Sequence, residues 1–242
     1  MTHGAPDDSN ILRNDTMQTL VDVGEAAVRL GAPVIFYRSG DVIYTQDFNG
    51  IGGDVVLEAT GSNSYARLSN ARFVTAGVGV ELAAMQVGSS DASMTLFVGP
   101  LITRYVGVSL CLWVGTLVGT VDLEVTVRRA DISYYPHIRL DIVNGKIQYK
   151  SEVATWTDAV TGLSFPITTN VPVWVKLLFD AEAWEFVSFA IGNDEYSMKN
   201  IPIYSAVGVG YEYSIVKVVV TPKAGAICVA YLDAVTVTQH DE

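Results

Sequence analysis

VPVWVKLLFDAEAWEFVSFAI, residues 171–191, is the stretch on which the fold reading of this chain turns. Successive side chains of a strand point to opposite sides. Val173, Val175, Leu177 and Phe179 therefore share one face, and Trp174, Lys176, Leu178 and Asp180 the other. A short turn is expected at residues 180–183. Beyond it, Val187, Phe189 and Ile191 fall on one face and Trp184, Phe186 and Ser188 on the opposite one. The period of two, with β-branched and aromatic enrichment, disfavours a helix. Both faces are partly apolar, which suits a central strand pair covered on both sides better than a sheet edge.

Working outward, AICVAYLDAVTVTQ, residues 226–239, reads as one long closing strand with Asp233 in its middle. Residues 120–128 form the cleanest half-buried strand, with Val121, Leu123, Val125 and Val127 inward and Asp122, Glu124, Thr126 and Arg128 outward. Asn144-Gly145 predicts a type I′ hairpin between a strand at 134–143 and one at 146–150. Further strands are expected at 34–38, 42–48, 55–60, 65–69, 78–87, 94–98, 105–117 and 211–221, divided by Gly, Ser, Asn and Asp turns. Residues 11–31 fit a helix stopped by Gly31-Ala32-Pro33 or a short strand equally well. About a dozen strands and no confident helix predict an all-β antiparallel sandwich or jelly roll.

Half of the 242 residues are hydrophobic and 17% are charged, so a large core can be buried. No linker composition interrupts the chain. Residues 34–242 therefore read as a single β-sandwich domain behind an N-terminal extension, residues 1–33, of undetermined structure. A mean hydropathy of +0.31 predicts that apolar strand faces are covered by another subunit, in a homo-oligomer. The formal charge is −11, and the one adjacent cation pair, Arg128-Arg129, is split by a strand to opposite faces. Nucleic acid and anionic membrane are accordingly not expected partners. Cys111 and Cys228 lie in apolar runs and read as buried free thiols; a disulfide would require adjacent strands. The first ten residues lack the basic start and apolar core of a signal peptide. As given, the sequence reads as cytoplasmic, or as secreted if a leader was removed.

Three stretches carry a family likeness. YTQDF (44–48) ahead of a glycine-rich loop, WVKLLFD (174–180) and YLDAVTV (231–237) resemble the opening, late and closing strands of concanavalin A-like lectin and glucanase jelly rolls. The resemblance covers roughly residues 34–242 and implies an antiparallel β-sandwich, a jelly roll of concanavalin A-like type, more than it implies an activity. In several such relatives the closing-strand aspartate helps to hold a structural calcium. Asp233 is the matching position, and Asp47 and Asp54 would supply further hard oxygen ligands. The alternative is that Asp233 bonds a backbone turn or faces solvent.

Laminarinase-like members place glutamate, aspartate and glutamate at alternating positions of a strand, the outer two acting as nucleophile and acid. The nearest stretch here, Asp122-Leu123-Glu124-Val125-Thr126, lacks the third carboxylate, and its two acids read as the solvated face of an ordinary strand. His3 and His240 lie in terminal segments, and His137 has no sequence-defined Ser or Cys partner. No catalytic residue is assigned. Sugar binding instead calls for aromatic faces beside hydrogen-bonding groups. Tyr134, Tyr135 and His137 in YYPH, and Trp156 and Asp158 in WTD, are the candidates, while Trp113, Trp174 and Trp184 read as core. The function expected is carbohydrate binding without catalysis. The alternatives are a homo-oligomeric assembly protein and a glycoside hydrolase-like enzyme.

Overall fold

The computed structural model describes residues 41–46, 48, 55–72, 78–85, 90–101, 104–117, 119–163, 172–208 and 210–239. The segment 11–31, the expected strand at 34–38, and Asp47 and Asp54 lie outside the described residues.

Seventeen strands are described. They are β1 (Asp41–Gln46), β2 (Val55–Thr60), β3 (Tyr65–Ser69), β4 (Gly79–Met85), β5 (Asp91–Phe97) and β6 (Tyr105–Leu117). Then come β7 (Gly119–Arg129), β8 (Ile132–Tyr135), β9 (His137–Asp141), β10 (Lys146–Lys150) and β11 (Trp156–Thr161). The last six are β12 (Val173–Asp180), β13 (Glu185–Ile191), β14 (Asp194–Pro202), β15 (Tyr204–Val207), β16 (Tyr213–Pro222) and β17 (Ile227–Gln239).

These strands form two antiparallel sheets. The eight-stranded sheet runs β14-β13-β12-β6-β17-β4-β3, with β1 also on β17; the nine-stranded sheet runs β11-β10-β9-β7-β16-β5-β2, with β8 on β7 and β15 on β8. The fold is an all-β antiparallel sandwich of jelly-roll topology. Its core lies between the sheets, where Val108, Leu110 and Leu112 of β6 and Val235 and Val237 of β17 meet Val121, Leu123 and Val125 of β7. The chain passes from one sheet to the other between β2 and β3 and again between β4 and β5.

The pair β12–β13 is internal at β12, as its two apolar faces require, with β6 on its other side. One expectation is corrected here. Phe179 pairs with Phe186 and Leu178 with Ser188, so Val187 is an extra residue in a bulge. A bulge shifts the alternation by one, and Phe186 and Phe189, expected on opposite faces, both enter the core. The turn also extends to Trp184, whose φ of +55° is the left-handed region. That conformation costs about 1 kcal/mol. The ring is held there by stacking on Tyr134, centroids 3.4 Å apart, and by the Arg129 guanidinium at 5.3 Å.

Two further corrections concern the third quarter of the chain. The strand expected at 134–143 is two strands, β8 and β9, divided at Pro136, which has no N–H to give a ladder. The turn at Asn144-Gly145 is not type I′, since only Gly145 has a positive φ. Four residues separate Asp141 from its partner Lys146. The Asp141 carboxylate accepts from the Asn144 backbone N–H (3.1 Å) and side chain (2.7 Å), an Asx arrangement that replaces the tighter turn.

Trp113 and Trp174 are buried as expected, although not between the sheets. With Cys111, Ala234 and Tyr231 they form a second, smaller cluster on the other face of the eight-stranded sheet. Trp184 packs at the margin of the main core. Both thiols are free and buried, Cys228 within the core and Cys111 in the second cluster.

Candidate functional site

The outer face of the nine-stranded sheet holds a polar lane, and the fork beside β7 explains its shape. Along one edge, β7 pairs with β9 through residues 120–124 and with β8 through residues 127–129. Pro136 marks the change of partner. One branch of the fork leads through β8 to β15, the other through β9 to β10 and β11.

Cross-strand register aligns the outward side chains. Lys217 of β16 faces Glu124 of β7, Glu124 faces His137 of β9, and Lys150 of β10 faces Trp156 of β11. Lys150 completes the row beside His137, its ammonium 3.5 Å from Nδ1. The next row runs from Asp122 to Arg139, Gln148 and Asp158. On the other branch, Tyr135 faces Tyr204, with ring centroids 5.5 Å apart.

The expectation that Asp122 and Glu124 form an ordinary solvated face is corrected by these contacts. Asp122 is 3% exposed and bound bidentately by Arg139, at 2.7 and 2.6 Å. Burial pushes its carboxyl above the usual aspartate range, against the pull of Arg139. The Glu124 side chain is 25% exposed, and one of its oxygens lies 3.9 Å from His137 Nδ1. Burial, and then the neighbouring Asp122, raise its pKa, while Lys150, Lys217 and Arg139 draw it down. His137 is buried and neutral, its pKa pushed to about 3 by burial and then by Lys150. Among the described residues its Nε2 has no hydrogen-bond partner of full geometry, although the ring lies against the Val125 backbone, which draws its pKa back up.

Of the five sugar-binding candidates, the structure brings Tyr135, His137, Trp156 and Asp158 onto this face. Tyr134 is not among them: it alternates to the other side, packs against the core and stacks on Trp184. The Trp156 ring carries the Arg139 guanidinium at 4.1 Å. Asp158 is held by Lys146 Nζ at 2.6 Å and Gln148 Nε2 at 2.7 Å, which lower its pKa in that order. Glu124, Lys150, Lys217 and Tyr204 are the additions. Their alternation in the strands is visible in sequence, but their register across four strands is not.

Asp233 lies far from this lane, on β17 opposite Cys111. It sits at a bulge, fully buried, and its Oδ1 accepts from the Ala234 N–H at 2.8 Å. Calcium takes 6–8 oxygens, and among the described residues no three His, Cys, Asp or Glu side chains gather to hold a metal. Asp233 is thus the one expected calcium ligand whose place is described, and it offers a single carboxylate, already bonded to the backbone.

No family model matches the chain, and no curated protein sequence does. Solved structures do resemble it. One, described among the endo-acting O-glycanases of prominent members of the human gut microbiota, covers 82% of this chain with 99% of its own, at 8% identity and a TM-score of 0.50. The cellulose induced protein Cip1 covers 81% with 96% of its own, at 8% identity and a TM-score of 0.50. The Bacillus licheniformis β-glucanase covers 84% with its whole length, at 11% identity and a TM-score of 0.48. At such identities the likeness is one of fold, and the fold shared is the jelly-roll β-sandwich.

Proposed function

We propose that this protein binds carbohydrate on the outer face of its nine-stranded sheet. One observation carries the reading: the fork at β7 sets Tyr135 and Tyr204 on one branch and Trp156 on the other, with hydrogen-bonding side chains between them. Sugars are bound by aromatic faces that take the apolar side of the ring and polar groups that take its hydroxyls. The likeness in fold to proteins described as glycanases and as cellulose-induced supports the same direction. Isothermal titration against a panel of soluble glycans tests it. Saturable binding is expected, weakened about tenfold or more by Tyr135→Ala, since a lost aromatic contact is worth about 1 kcal/mol or more. Unchanged binding in that variant would remove the lane from the reading.

A catalytic reading has one observation in its favour, Glu124, a partly exposed carboxyl with a raised pKa beside a neutral histidine. Its neighbour Asp122 is held bidentately by Arg139 rather than left open as a second reacting carboxylate. Release of new reducing ends by the wild-type protein, abolished in Glu124→Gln, would make the site hydrolytic.

A further inference from the structure

The cations of the lane are not equivalent. Arg139 is neutralised by Asp122 and Lys146 by Asp158, each at 2.6 Å. Among the described residues, neither Lys150 nor Lys217 meets a carboxylate within ion-pair distance. They stand in one register row, on either side of His137 and Glu124. Lys150 is also held in place: it approaches neutral His137 Nδ1 at 3.5 Å and lies 5.6 Å from the Tyr135 ring centroid. A cation fixed by neutral partners keeps its charge for a ligand and loses little freedom on binding.

Resting on the carbohydrate reading above, we infer that the lane selects an acidic saccharide, a chain of uronic acids, with a sugar carboxylate between Lys150 and Lys217 and a ring against Tyr135 and Tyr204. The row presents two ammonium groups against one carboxyl, inside a chain whose formal charge is −11. That overall charge is largely screened beyond the Debye length, about 8 Å at physiological salt, and so opposes a polyanion only weakly. Within the lane the local sign decides. A carboxylate is favoured over a sulfate ester because its oxygens are the more basic and accept more strongly from the two ammonium groups.

The experiment is a calorimetric titration of the intact chain with oligogalacturonate and oligoglucuronate, the same chains after reduction of their carboxyl groups, a neutral glucan oligomer and a sulfated glycan. The uronates are expected to bind, the carboxyl-reduced chains about tenfold more weakly or worse, and added salt to weaken only the former. Lys217→Met should lose about tenfold in uronate affinity with an unchanged melting temperature. If that variant does not fold, Lys150→Gln reads the same charge. Glu124→Gln, which removes the lane's own negative charge, should keep or strengthen uronate binding. Equal affinity for acid and reduced chains, or a preference for neutral glucan, would overturn the acidic-sugar inference and leave carbohydrate binding standing. Equal affinity for the sulfated glycan would overturn the carboxylate assignment. If no saccharide binds, the parent reading falls with it.

Discussion

His137 shows what one buried side chain does to the whole stability curve. Free histidine takes a proton near pH 6.5, while this ring, desolvated and close to Lys150, holds out to about pH 3. Between those values the unfolded chain binds a proton that the folded chain refuses, so the native state loses stability as pH falls through that window. The full difference is on the order of 5 kcal/mol. Asp122 and Glu124 act with the opposite sign. Their raised folded pKa values let the native state hold protons that the unfolded chain has lost, so their contribution declines as pH rises above the ordinary carboxylate range. Comparison with His137→Gln separates the two. The wild type is expected to lose more stability than the variant in urea melts between pH 6.5 and 4, and parallel curves would mean that the imidazole is already solvated.

At the scale of elements, Asp180 ties a hairpin to the rest of its sheet. Its Oδ1 accepts from the backbone N–H groups of Glu182 and Ala183, at 2.8 and 2.9 Å, and its Oδ2 from Arg104 at 2.8 Å. Burial alone would raise its pKa, but the Ala183 and Glu182 amides and Arg104 together lower it. Asp180→Ala leaves these donors without their acceptor and is expected to cost roughly 2 kcal/mol. For a chain of this size that is a drop of about 4–8 °C in Tm, readable by circular dichroism; a drop under about 1 °C would show that water replaces the carboxylate. The aspartate before the turn was legible in sequence, as were the strands around it, because period-two alternation is a local signal. The bulge at Val187 was not, since Phe186 and Phe189 look like ordinary alternating residues until Phe179 chooses its partner. The site failed to show for the same reason. Asp122 and Glu124 alternate like any solvated pair, and only the register with Arg139 and His137 buries the first and partly covers the second.

The whole molecule is organised by the fork at β7, and the same fork leaves an edge. Among the described residues β15 pairs only with β8, so one side of residues 204–207 presents unpaired backbone groups, a template for another strand. Beside it the surface is apolar: Val207 is 87% exposed and Ile132, its register partner, 41%. Isolated exposed apolar residues are ordinary, whereas a cluster at an open strand edge in a chain of high mean hydropathy calls for cover. Self-association through this edge is the expected outcome, and light scattering should return a mass that is a multiple of the 26.1 kDa chain. Val207→Lys places a charge on the edge, the device by which natural sheets block edge pairing. It should return the protein to a single chain without lowering its Tm, because so exposed a side chain contributes little to the core. A wild-type mass of one chain would show that the four-residue edge is too short to recruit a partner, and an oligomer indifferent to Val207→Lys would move the contact to another face.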